Sequence, residues 1–112
     1  MSNTEGGGNT GYGYVSLRNN TTGYWNTAGG AWSLVSNVTG AVNTAFGYSA
    51  LQSNVSGNYN VGIGYQSLVS NQAGQFNIAI GGRDASFQNI GGSFNVAIGT
   101  SALYNNLSSR NT

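Results

Sequence analysis

The strongest constraint in this sequence is a period: Asn9, Asn26, Asn43, Asn60 and Asn77 follow one another at 17-residue intervals, and Asn95 and Asn111 continue the series at intervals of 18 and 16. A unit that short cannot bury its own apolar face, so neighbouring units must stack to make a core. Six units cover Asn9 to Arg110, and the third, fourth and sixth read NTAFGYSALQSNVSGNY, NVGIGYQSLVSNQAGQF and NVAIGTSALYNNLSSR. The fifth position is always Gly, in Gly13, Gly30, Gly47, Gly64, Gly81 and Gly99. The ninth is Leu17, Leu34, Leu51, Leu68 and Leu103, broken by Ala85. The twelfth is Asn20, Asn37, Asn54, Asn71 and Asn106, with Gln88 beside Asn89 where the single insertion falls, and the fifteenth is Gly in all but the last unit, where Ser109 replaces it.

Around each boundary the residues alternate: in Phe76-Asn77-Ile78-Ala79-Ile80-Gly81 the large apolar groups take every second place, which is strand periodicity. The fixed Gly then ends the strand. A second short segment carries the Leu, as in Tyr48 to Gln52, and closes on an Asn-x-Ser/Thr-Gly turn. Two short strands and two turns per unit predict an all-β, parallel β-solenoid of six 17-residue coils, a rod of roughly 25–30 Å at ~4.8 Å per coil. Asn26, Asn43, Asn60, Asn77 and Asn95, with Gly30, Gly47, Gly64, Gly81 and Gly99, form its structural ladders. No window shows sustained helical periodicity. Residues 1–8 read as a polar leader or attachment segment ahead of a single repeat domain, 9–112.

Composition narrows the function. Leu, Ile, Val and Phe make only 23 of 112 residues, a thin core for one chain, and oligomerisation is the expected supplement. The tiny third-position residues Ala28, Ala45, Gly62, Ala79 and Ala97 fit a close approach between subunits, and the aromatic face of Trp25, Tyr59, Phe76 and Phe94 fits a shared or internal core; the sequence leaves the assignment open. The chain has no Cys, His or Lys, so the usual zinc sites, thiolate nucleophiles, histidine bases and Schiff-base lysines are excluded, and neither a metal nor a cofactor is expected. Its carboxylates are Glu5 and Asp84, one before the first coil and one in the fifth, too far apart for paired-acid catalysis, so no enzymatic activity is expected. A net charge of +1 gives no field for nucleic acid, and no apolar run is long enough for membrane insertion. Met1 to Gly13 does not read as an export signal.

Units such as NTAFGYSALQSNVSG and NVAIGTSALYNNLSS resemble the tandem repeats of bacteriophage tail-fibre and related virion-fibre proteins. More distantly they are similar to the head repeats of trimeric autotransporter adhesins, whose N-x-V-A-I-G core is matched by Asn77 to Gly81 and Asn95 to Gly99. The resemblance covers residues 9 to 112. It implies a homotrimeric fibre, spike or capsid decoration in the virion, bound to other virion proteins through the N-terminal segment, with contact to host-surface glycan. The alternative it implies is the head fragment of a bacterial cell-surface adhesin, placed outside the cell.

Candidate glycan contacts are Tyr14, Tyr48 and Tyr65 in the sixth position, with Trp32 next to it in the second unit. Aromatic faces beside Asn, Gln and Arg83 suit sugars, and lateral packing between coils or subunits is the competing role. Asn19, Asn20, Asn37, Asn54 and Asn106 sit in Asn-x-Ser/Thr, which reads as repeated turn grammar rather than glycosylation. Thr10, Thr27 and Thr44 begin a threonine array of the ice-binding kind, but Val61, Ile78 and Val96 end it halfway.

Overall fold

The computed structural model describes residues 4–83, 85, 86 and 88–112. Each coil contributes one three-residue strand: β1 (Thr10–Tyr12), β2 (Thr27–Gly29), β3 (Thr44–Phe46), β4 (Val61–Ile63), β5 (Ile78–Ile80) and β6 (Val96–Ile98). They form one parallel sheet in chain order, with Thr27 opposite Thr44, Thr44 opposite Val61 and Val61 opposite Ile78. Parallel neighbours need a crossover, and here the rest of each 17-residue coil supplies it. The result is a β-solenoid measuring 35 × 22 × 16 Å. Among the described residues there is no helix.

One expectation about the coil is corrected. The Leu-bearing segment is not a second strand but a run of turns, and Leu17, Leu34, Leu51, Leu68 and Leu103 lie at φ between 48° and 55°. Left-handed φ is costly for a branched side chain, about 1–3 kcal/mol, and persists only where the surroundings over-determine it. Here they do, because the backbone alternates between two kinds of bond. In the third coil Ala50, Gln52 and Asn54 donate N–H to the carbonyls of Gly47, Ser49 and Leu51 three residues back, while Leu51 and Ser53 donate to Ser67 and Val69 in the next coil. Every second amide thus tightens the turn and the others tie coils together.

The faces are also assigned. The tiny residues Ala28, Ala45, Ala79 and Ala97 are fully buried inside the solenoid against the Leu column, so they do not line a subunit contact. Trp25, Tyr59, Phe76 and Phe94 are on the outside, 44–66% exposed, and do not fill the internal core. The reason is volume: the largest side chain a 17-residue coil encloses is a Leu, packed with Ala, Ser and Asn, which leaves no room for an aromatic ring.

Two columns of buried Asn complete the interior. Asn60 donates its side-chain amide to the Asn43 Oδ1 (3.2 Å) and to the Gly74 carbonyl (2.8 Å), and its Oδ1 accepts from the backbone N–H (3.0 Å) and side-chain amide (3.1 Å) of Asn77. The same pattern links Asn26 to Asn43 and Asn77 to Asn95. The second column, Asn20, Asn37, Asn54, Asn71 and Asn89, bonds along itself through the side-chain amides alone, each donated to the Oδ1 of the preceding Asn. Both columns converge on the fifteenth-position carbonyl: Asn26 and Asn37 both donate to Gly40. A Cβ at Gly40 would run into the Asn37 Oδ1 and the Gly57 carbonyl, which is why that position is Gly.

The insertion lies earlier than the sequence alignment puts it. Leu68 N–H donates to the Ala85 carbonyl, and Ser86 N–H to Ala102, so Ala85 stands in the column of Ala50 and Ser67. Ser86, at φ 53°, takes the Leu place, and its buried hydroxyl has no partner among the described residues. The extra residue therefore falls between Gly81 and Ala85, and Asn89 rather than Gln88 joins the Asn column. At the last coil the Ser108 carbonyl, not Ser109, takes the role of the Gly, accepting from Asn95 and Asn106. At the first coil, Thr4, Glu5 and Gly6 donate N–H to the Thr21 carbonyl as Thr21, Thr22 and Gly23 do to Val38. Residues 4–8, read from the sequence as a leader, carry the bonds of a coil's closing third.

Candidate functional site: the outer faces

Because Asn and Ala point inward, the alternation of the strand sends the second and fourth positions outward. On the last three coils this face is aliphatic: Ile63, Ile78 and Ile80 are each 38% exposed and Ile98 is 68% exposed, with Val61 and Val96 half-buried between them. On the first three it is more mixed, with Thr27 and Thr44 half-buried and Phe46 and Tyr12 meeting at 6.1 Å across the bare Gly29. A Cβ at Gly29 would strike both rings.

Beside this face runs an aromatic column. Tyr59 and Phe76 stack at 4.8 Å with planes 3° apart, and Phe76 and Phe94 at 5.1 Å with planes 7° apart. Successive coils place equivalent residues about one strand spacing apart, which is close to the thickness of stacked rings, so the backbone repeat imposes the stack. The Arg110 guanidinium continues the column, 5.8 Å from the Phe94 ring centre. These rings are at positive φ, 53–59° from Trp25 to Phe94, which swings them off the strand face and onto the corner. Spacing alone identifies the column; which way it points depends on that φ, which residue type does not reveal.

The four candidate sugar contacts do not make one site. Tyr48 and Tyr65 stack at 5.5 Å with planes 12° apart, both 48% exposed. Tyr14 and Trp32 form a separate edge-on pair at 6.1 Å on the first two coils, whereas Tyr48 and Tyr65 are on the third and fourth. The structure thus brings together two of the four as a flat platform and sets the other two apart. Asp84 lies outside the described residues. Asn20, Asn37 and Asn54 are fully buried with their amides committed to Gly23, Gly40 and Gly57, so sugar attachment there would require unfolding. Asn19 is exposed and Asn106 half-buried.

Comparison with protein-family models, with curated proteins and with solved structures returned no match.

Proposed function

We propose that the chain is a structural virion protein of a bacteriophage, a homotrimeric short fibre, spike or capsid decoration, which contacts other virion proteins through its N-terminal segment. One observation carries this reading: a solenoid held by backbone and Asn ladders leaves an aliphatic strand face, Ile63, Ile78, Ile80 and Ile98, outside its own core. Contiguous exposed apolar surface of this kind marks an interaction site. Three rods packed on that face would bury it and supply the core that a single thin coil lacks. The assembly's work is mechanical: it holds a rigid rod of low charge at a particle surface.

Light scattering and native mass spectrometry test the trimer. The wild type should have three times the chain mass, and Ile63→Asp with Ile80→Asp should be monomeric with an unchanged circular-dichroism spectrum. A wild-type monomer at tens of micromolar would overturn the reading. A second role, host-glycan contact, is supported by the Tyr48–Tyr65 platform, since stacked exposed rings suit the apolar face of a sugar. Tyr48→Ala with Tyr65→Ala should abolish host-cell or glycan-array binding while leaving the trimer intact; unchanged binding removes this role.

A further inference from the structure

In the first four coils the closing turn folds its amides onto one oxygen of the coil that follows. Thr21, Thr22 and Gly23 donate N–H to the Val38 carbonyl, and Val38, Thr39 and Gly40 to that of Val55. Val55, Ser56 and Gly57 donate to Gln72 at 2.9, 3.1 and 3.3 Å, and Gln72 and Ala73 to Ile90. In the fifth coil the equivalent N–H groups, those of Ile90, Gly91 and Gly92, have no acceptor among the described residues. The sixth coil is nevertheless in place on both sides of them: Gln88 N–H donates to the Tyr104 carbonyl, and Ser93 N–H to the Ser109 Oγ. What removes the acceptor is a residue missing inside that coil. Leu107 alone separates Asn106 from Ser108, whose carbonyl takes the role of the fifteenth-position Gly, where the fifth coil has both Ile90 and Gly91 between Asn89 and Gly92.

We propose that the amides of Ile90, Gly91 and Gly92 form a binding site for an oxyanion, a phosphate, sulfate or carboxylate group, one oxygen of which takes the place of the missing carbonyl. Convergent backbone N–H groups make a concave partial positive charge, and a charged oxygen bonds to it more strongly than a neutral carbonyl does. The filled turns of the earlier coils show that this backbone shape holds one oxygen at bonding distance. A second observation points to a ligand. The fourteenth position is Thr22, Thr39, Ser56 and Ala73 in the first four coils and becomes Gly only at Gly91, in the coil whose amides are open. The backbone does not require that Gly: its φ is outside the left-handed region, and an added Cβ would meet nothing within 4 Å. A glycine free of any conformational task bares the amides and lets a ligand come close to the main chain. Ile90 and Gly91 are both exposed, so the approach is from solvent. The charged residue bonded beside the turn is a cation, Arg110, whose N–H donates to the Ser93 carbonyl next to Gly92, while Glu5 is at the other end of the stack.

This site lies on the closing turn, away from the strand face and the Tyr48–Tyr65 platform, and depends on neither the trimer nor the glycan role. Its test is an NMR titration of the isotope-labelled full chain with sodium phosphate and, separately, sodium acetate, each against sodium chloride at equal ionic strength. Saturable shifts centred on the Ile90, Gly91 and Gly92 amides are expected from phosphate; the same from acetate extends the ligand class to carboxylates, and none from acetate narrows it to phosphate and sulfate. Gly91→Pro deletes one of the three charge-assisted bonds and should weaken binding at least roughly tenfold. Insertion of one Ala between Leu107 and Ser108 restores the 17-residue coil and returns a carbonyl to the amides. It should abolish the phosphate shifts and slow hydrogen exchange at residues 90–92. Absence of shifts at tens of millimolar phosphate, equal shifts from chloride, or an undiminished response in the folded insertion variant would overturn the proposal.

Discussion

Asn60→Asp changes one NH₂ into one oxygen at the centre of the ladder, where every neighbouring group is already fixed as a donor or an acceptor. The new oxygen faces the Asn43 Oδ1 and the Gly74 carbonyl, both acceptors, at the 3.2 and 2.8 Å now spanned by donated bonds. The other oxygen keeps the two bonds from Asn77. In the ionised form two buried bonds are replaced by acceptor–acceptor contacts in a residue with no solvent exposure, at ~1–3 kcal/mol each, so about 2–6 kcal/mol is lost before the charge itself is counted. The protonated acid can donate one of the two bonds and loses about half as much. The folded state therefore holds this carboxyl above the ordinary aspartate range. With a raised folded pKa, the variant keeps its acid-form stability below pH ~4 and loses the remainder as pH rises through the shifted value. The wild type offers a quiet background, since it has no His and only Glu5 and Asp84 as side-chain carboxylates. Urea unfolding monitored by circular dichroism at pH 3.5 and pH 7 should show the variant about 1–3 kcal/mol less stable than wild type at the lower pH and far less stable, or unfolded, at the higher. Asn19→Asp, at an exposed position, should be neutral at both. An equal loss at the two pH values, or a larger one in acid, would refute the donor–acceptor argument.

Other perturbations read different parts of the coil. Leu51→Ala empties a fully buried place in the Leu column and should cost about 2–5 kcal/mol in the same unfolding assay. Ser86→Ala removes the buried hydroxyl that has no partner among the described residues and should raise stability by about 1 kcal/mol, visible as a higher melting temperature. Gly40→Ala should collapse the native NMR spectrum into that of an unfolded or frayed chain, because its Cβ meets the Asn37 side chain and the next coil's backbone, whereas Gly82→Ala, with open space around it, should leave the spectrum intact.

The period, and with it the parallel solenoid, is legible because stacking forces chemical identity on columns: Asn26, Asn43 and Asn60 must be Asn if each is to both donate to and accept from its neighbour. The turn run is not legible, since Leu34 and Leu51 adopt a backbone that residue type argues against and that only the bonds to adjacent coils sustain. The coil-closing bonds of residues 4–6 have a sequence signal, since Thr4-Glu5-Gly6 matches Val38-Thr39-Gly40, but the Gly-rich stretch at residues 6–8 masks it. The outward aromatic column is visible as a column and invisible as a surface, because Phe76 and Phe94 would look the same in an interior stack.

The Asn ladder also bears on how such a rod ages. Deamidation of an Asn begins when the backbone nitrogen of the next residue attacks the side-chain carbonyl, a ring closure that needs both groups free to turn. Here the next nitrogens, those of Thr27, Thr44 and Val61, are held by the carbonyls of Asn43, Asn60 and Asn77 at 2.8 Å, and the side-chain carbonyls each accept two bonds from the coil beyond. The residue after each ladder Asn is Thr, Val or Ile throughout the six coils, whose branching hinders the attack further, and none of the 17 Asn in the chain precedes a Gly. The bonds that hold the coils together therefore also keep their most vulnerable side chains from decaying into the buried carboxylates the ladder cannot tolerate, and an intact stack should outlast its own unfolded chain by far in shelf life.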